Sequence, residues 1–167
     1  FWEKKAKNID WIKPWEKALV SVNSSYEWFQ GGILNTCFNC VDRHINKGNG
    51  SKVAIIYDSP ITNNKFYITY NDLLKKVSSL AASLDIKGVK KGDRVVLYMP
   101  MIPEVIFAML ACARIGAIHS VVFGGFAAKE LASRISDVNP KVVISASCGL
   151  EPKRVIDYKK ILDEAIE

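Results

Sequence analysis

From about residue 94 onward, apolar positions fall into a regular rhythm. Unbroken apolar runs at Val95 to Met99, Ile118 to Val122 and Val142 to Ala146 read as strands, and Pro103 to Arg114 and Ala127 to Val138 between them read as helices. Strand, helix, strand, helix, strand predicts parallel pairing with right-handed crossovers. The strands lack apolar–polar alternation, as expected where helices cover both faces of a sheet. Lys91-Gly92-Asp93 turns into the first strand, Gly116 ends the first helix, and Asn139-Pro140 blocks continuation of the second. Glu130 and Arg134, one helical turn apart, are placed to pair on the second helix.

Upstream, Leu34, Cys37, Phe38, Val41 and Ile45 follow helical spacing, with Asn35, Asp42 and Arg43 on the outer face and a stop expected near Gly48 and Gly50. Val53 to Tyr57 and Phe66 to Thr69 read as a hairpin around the polar loop Asp58 to Lys65. A helix from about Asn71 to Leu84 carries the stripe Leu73, Leu74, Val77, Leu80, Ala81 and Leu84. Tyr158 to Ile166 has helical spacing again. Residues 1–33 show little periodicity, and Trp2, Trp11, Trp15, Tyr26, Trp28 and Phe29 recur among Lys, Asn and Ser. They predict an extended arm whose aromatics dock on the body of the same protein. The expected fold is thus α/β: a predominantly parallel sheet with helices on both faces over residues 34–167, preceded by an aromatic-rich amino-terminal extension over residues 1–33.

Composition changes this picture little. With 167 residues, 49% hydrophobic and 24% charged, the chain supports one main core. Its longest apolar run, Val105 to Ala113, is about half of a membrane span, so no membrane role is expected. The opening Phe1-Trp2-Glu3-Lys4-Lys5 lacks the layout of a signal peptide, and four unevenly spaced cysteines do not make a disulfide framework. A reducing interior is expected, and Asn23-Ser24-Ser25 and Asn49-Gly50-Ser51 are chance matches to the glycosylation pattern. A net charge of +6 favours an anionic partner. The basic residues are nevertheless dispersed, and the densest group (Lys87, Lys90, Lys91, Arg94) lacks the interleaved aromatics or reading helix of a nucleic-acid binder. No nucleic-acid partner is expected.

Two segments are candidates for chemistry. Phe123-Gly124-Gly125-Phe126 follows the carboxyl end of a predicted central parallel strand, where open sheets of this kind place ligands. Adjacent glycines allow a phosphate or pantetheine chain close to the backbone. The alternative is a tight turn without a ligand, since neither a dinucleotide fingerprint nor a phosphate loop is present. Gly149-Leu150-Glu151-Pro152-Lys153-Arg154 follows the next strand and brings a guanidinium suited to phosphate near the same edge, or else is an ordinary exposed loop. Cys37-Phe38-Asn39-Cys40 resembles half a zinc site, but no second ligand pair follows and both cysteines fit the buried stripe, so no metal is expected. His119 is expected to be a partly buried, hydrogen-bonded core residue and His44 a helix surface residue; neither has a triad partner. The scattered acids make no paired-carboxylate hydrolase.

Taken together, Phe1-Trp2 with Asp10-Trp11, Trp28-Phe29-x-Gly31-Gly32-x-Leu34-Asn35, Asp42-Arg43-His44, Lys90-Lys91-Gly92-Asp93, Tyr98-Met-Pro-Met, Ala111-Cys-Ala-Arg-Ile-Gly-Ala-Ile-His-Ser120 and Phe123-Gly-Gly-Phe126 carry a family likeness. The chain resembles, almost from end to end, the amino-terminal part of short-chain acyl-CoA synthetases, the acetyl- and propionyl-CoA synthetase group of the adenylate-forming superfamily. Phe126 to Ile135 and Ala146-Ser147-x-Gly149-x-Glu151-Pro152-x-Arg154 look more like the propionate-preferring members than the acetate enzymes.

The resemblance implies a two-step ligase: a carboxylate and Mg-ATP give an acyl-adenylate and pyrophosphate, then the thiol of coenzyme A displaces AMP. It places coenzyme A along Phe123, Gly124 and Gly125, with its nucleotide end near Glu151, Pro152, Lys153 and Arg154. Glu151 stands where acetate enzymes carry a second arginine, which makes that corner less favourable to phosphate. By the same resemblance the ATP-phosphate loop, the adenine- and ribose-holding motifs and the domain with the adenylation lysine follow Glu167. Residues 34–167 are therefore expected to be the first part of the adenylation domain, with no catalytic residue among them and no activity alone. The expected partners are acetate or propionate, ATP with Mg2+, coenzyme A and the remainder of the same enzyme, in the cytoplasm or the mitochondrial matrix. A stand-alone coenzyme A or nucleotide-binding module and a structural interaction domain are the rival readings.

Overall fold

The computed structural model describes all 167 residues. A short helix α1 (Trp2–Ala6) leads into an antiparallel hairpin, β1 (Lys17–Val22) and β2 (Ser25–Gln30), where the sequence predicts an arm without regular structure. Its aromatics pack chiefly on one another: Trp11 and Trp15 lie 4.9 Å apart between ring centroids, and each lies 5.5 Å from Phe29. The hairpin closes where the Ile12 and Lys13 N–H groups donate to the Ile33 carbonyl at 2.7 and 3.1 Å.

The helix expected over residues 34–45 is broken at Val41 (φ −126°, ψ −70°) into α2 (Thr36–Cys40) and α3 (Asp42–His44), which runs on into a π-helical turn, Ile45–Asn49. Asn35 caps α2 by accepting from the Phe38 N–H at 3.0 Å. The break turns the supposed outer face inward. Arg114 donates to Asp42 at 2.6 Å, Asn35 donates to the Arg114 carbonyl at 3.0 Å, and Arg43 donates to Asn39 at 3.0 Å and to the Asn8 carbonyl at 2.9 Å. Asn39 also exchanges two 2.9 Å hydrogen bonds with the backbone of Asp10. These polar clamps fix the extension to the body. Cys37 is buried but Cys40 is exposed, so the two do not share an apolar stripe. His44 is half-buried, its ring stacked 4.8 Å from that of Tyr70.

β3 (Val53–Ser59) and β4 (Asn64–Thr69) form the predicted hairpin with a shorter connection than expected. Thr69 and Asp72 form a reciprocal capping box that starts α4 (Tyr70–Ile86), whose stripe Leu73, Val77, Ala81 and Leu84 is buried. Then come β5 (Arg94–Tyr98), α5 (Pro103–Ile115), β6 (Ile118–Val122), α6 (Ala128–Val138) and β7 (Val142–Ser145). The sheet is parallel with order β6-β5-β7, so β5 is central and β6, expected to be central, is an edge. Alternate residues of β5 feed two cores. Val95 and Leu97 pack with α4 and α5, while Val96 and Tyr98 pack with α6 and the last helix. Burial on both faces is why this stretch reads as continuously apolar.

Gly149 to Arg154, expected as a loop, belongs to a small hairpin, β8 (Gly149–Glu151) and β9 (Arg154–Ile156). Asp157 then caps α7 (Tyr158–Ile166) by accepting from the Lys160 N–H at 3.0 Å. Arg94 reaches from β5 to the end of α6, donating to the Val138 and Asn139 carbonyls at 3.1 and 3.0 Å. Glu130 and Arg134 form no ion pair; the Arg134 guanidinium lies over the Phe126 ring at 5.9 Å. His119 is half-buried on the edge strand, and its ring makes no hydrogen bond within the protein. No helix is long and apolar enough to cross a membrane.

Candidate functional site

Adjacent strands β5 and β6 feed helices on opposite faces of the sheet, so the chain parts beyond their carboxyl ends and leaves a crevice. A cleft of about 360 Å³ lies there. Its walls are Met99, Pro100 and Met101 after β5, Val121 to Gly125 at the end of β6, Gly149 to Glu151 of β8, and Ile156 with Tyr158. The lining is largely apolar and contains one carboxylate, Glu151, and no lysine or arginine.

The predicted site residues divide accordingly. Phe123, Gly124, Gly125 and Glu151 meet around the cleft, whereas Pro152, Lys153 and Arg154 lie on the outer turn and strand of the β8–β9 hairpin, outside its lining. The Arg154 guanidinium is engaged by its own hairpin: Nε donates to Glu151 at 2.7 Å. That hydrogen bond holds the guanidinium above its ordinary pKa. Both side chains are substantially exposed, so the pair is weak and open to competition from a ligand.

The glycines have an explanation that the sequence did not carry. A Cβ on Gly124 would collide with the Tyr158 hydroxyl, and a Cβ on Gly149 would come within 2.6 Å of the same ring. Both glycines therefore make room for one buried aromatic. Gly125 differs: its Cβ would meet the side chain of Phe123, at 2.5 Å. Tyr158 stacks on Tyr98 with ring centroids 4.8 Å apart, and the Tyr98 hydroxyl donates to the Phe126 carbonyl at 2.9 Å. Burial raises the pKa of both phenols; for Tyr158 the Glu151 carboxylate adds to it. One ring thus ties together the end of β5, the glycine turn and the β8–β9 hairpin. Sequence reasoning placed Tyr158 only as the first residue of a helix. The one local hint is the glycine pattern itself, since small residues at two turns leave a volume for something large to fill.

A parallel α/β sheet with a ligand-sized crevice at the carboxyl ends of its strands defines the class: an open-sheet α/β domain. The chain belongs to the AMP-binding enzyme family, which residues 41–166 match, while residues 1–40 match the acetyl-coenzyme A synthetase N-terminus. It is 57% identical over 168 residues to the mitochondrial acyl-CoA synthetase short-chain family member 3 of Homo sapiens, covering 100% of this chain and 24% of that protein. It is 47% identical over 169 residues to the mitochondrial acyl-CoA synthetase short-chain family member B of Dictyostelium discoideum, covering 100% and 25%. The acetyl-coenzyme A synthetase of Mesorhizobium japonicum is 48% identical over 175 residues, covering 100% and 26%. The chain spans about a quarter of the length of the curated relatives it matches.

Proposed function

We propose that the chain is the amino-terminal portion of an AMP-forming short-chain acyl-CoA synthetase, with residues 1–33 as an extension and 34–167 as the first part of the adenylation domain. The observation that carries this reading is the likeness from end to end to acyl-CoA synthetases, in the order of the motifs, within one folded body. The longer protein joins a carboxylate to coenzyme A through an acyl-adenylate, consuming ATP. Propionate is favoured over acetate, on kinship of the segments 126–135 and 146–154. Its compartment is the mitochondrial matrix or the cytoplasm.

The cleft's role is to receive coenzyme A. Its apolar walls suit the uncharged arm that carries the thiol, with Phe123, Gly124 and Gly125 on one lip and Glu151 on the other. Pro152, Lys153 and Arg154 lie outside, where Lys153 and Arg154 are available to the phosphates. Arg154 first has to leave Glu151 or share it. These residues do not fit Mg2+ or a triphosphate, because the one carboxylate in the lining is already paired and no cation lines the cleft. Residues 1–167 alone therefore adenylate no carboxylate.

The test is carboxylate-dependent ATP–pyrophosphate exchange by the full-length protein, followed by coenzyme A-dependent release of AMP. Exchange is expected with propionate at higher kcat/KM than with acetate, and none with residues 1–167 alone. A full-length protein that binds coenzyme A but exchanges no pyrophosphate with any short carboxylate would overturn the ligase reading in favour of a binding module.

A further inference from the structure

Tyr158 is only 4% exposed, yet its hydroxyl has no hydrogen-bond partner in the protein and reaches the cleft beside Gly124. The ring is buried, but the hydroxyl itself is not sealed from solvent: it opens on the cleft, where water or a ligand can accept its hydrogen bond. The neighbouring Tyr98 hydroxyl differs, donating to the Phe126 carbonyl within the protein. Nor is the Tyr158 ring free to turn away. It is held by the Tyr98 stack and by Gly149, and Gly124 leaves the space into which its oxygen points.

We infer that the Tyr158 hydroxyl is a ligand-binding donor, placed to hydrogen-bond a neutral carbonyl acceptor on an amide-bearing chain lying in the cleft. Taking that chain as the pantetheine arm of coenzyme A rests on the function proposed above. Two features select a neutral acceptor over an anion: the walls are apolar, and the one charged group among them is the Glu151 carboxylate. An anionic group beside Tyr158 would have to draw Arg154 from its bond with that carboxylate, since no lysine or arginine lines the cleft. An amide carbonyl accepts the phenol's hydrogen bond without that cost, and the amide N–H of the same chain can face Glu151. The two glycines then have a ligand role at one remove: they admit the ring that carries the donor.

The experiment is calorimetric titration of the full-length protein and its Tyr158→Phe variant with coenzyme A and, separately, with pantetheine, which has the amide arm but no phosphates. The variant keeps the ring and loses only the hydroxyl. Both dissociation constants are expected to rise by the same factor, about three- to tenfold for one neutral hydrogen bond. The thermal midpoint without ligand should stay the same, because the hydroxyl makes no hydrogen bond within the protein and opens on the cleft.

Unaltered dissociation constants in the variant overturn the inference alone, as does weakening confined to coenzyme A, which would put the contact on its nucleotide. A lowered thermal midpoint of the ligand-free variant also overturns it, since the hydroxyl would then be a structural group. A parent protein that binds neither probe overturns the coenzyme A reading itself.

Discussion

The aromatic extension and the parallel sheet are both rich in large apolar side chains and place them in opposite ways. In β5, Val95, Val96, Leu97 and Tyr98 are all fully buried. Over residues 1–33 the only buried residue is Ala6, and Phe1, Trp2, Tyr26 and Trp28 stay half-exposed or more. The extension is held by directional bonds instead: Asn39 to the Asp10 backbone, Arg43 to the Asn8 carbonyl, and the Trp11 indole N–H to the Ala6 carbonyl at 2.9 Å. Apolar burial is non-directional and roughly additive with area, so the sheet tolerates changes that conserve volume. A hydrogen-bonded clamp depends on a few atoms at fixed distances. The two regions should therefore fail differently, the sheet by global unfolding and the extension by local release.

The largest expected effect comes from the sheet. Leu97→Ala should cost about 2 to 5 kcal/mol in urea unfolding, by lost transfer energy plus a cavity, whereas Trp28→Ala, at a position 50% exposed, should cost under about 1 kcal/mol. Equal costs would erase the distinction between the regions. Gly124→Ala should cost about 1 to 3 kcal/mol as an overpacked site, and less when combined with Tyr158→Phe. A coupling of zero in that double-mutant cycle would show that the ring does not account for the glycine.

Arg43→Ala should leave the global transition lowered by only about 1 kcal/mol, because its contacts are near the surface. Cleavage within residues 1–33 by a protease should nonetheless accelerate several-fold, and an unchanged rate would argue against the clamp. The smallest and most gradual effect is with pH. Burial pushes the Cys112 thiol from the ordinary 9.0 up to about 11. The unfolded chain then loses that proton first, so the stabilisation is complete below pH 9 and declines as pH rises through about 11. The urea midpoint measured from pH 8 to 11 should fall, and fall less steeply in Cys112→Ala.

Much of the sheet was legible because its period and punctuation are local properties. Apolar runs marked the three parallel strands. Pro103 and Gly116 marked the ends of α5, whereas the Thr69–Asp72 capping box that starts α4 emerged only in the structure. The break at Val41 was hidden because Leu34, Cys37, Phe38, Val41 and Ile45 satisfy helical spacing whether or not the backbone is continuous. The arm's hairpin was obscured because its exposed aromatics show no clean alternation; β2 is half-buried only at Phe29 and Gln30. Site residues were legible in part: the glycine pair and Glu151 stood out as sequence, and they do line the cleft.

By itself, then, the sequence determined the α/β class, the parallel rhythm, the stops at Gly116 and Asn139-Pro140 and the family, since each follows from neighbours along the chain or from the order of motifs. Only the tertiary structure decided that β6 is an edge, that Arg114 and Asp42 join two distant elements, that Arg154 is paired within its own hairpin, and that Tyr158 fills the space left by Gly124 and Gly149. The physical reason is the same throughout: those facts depend on which side chains meet after the chain crosses the sheet, and no period of two or 3.6 residues encodes a contact between residues that far apart.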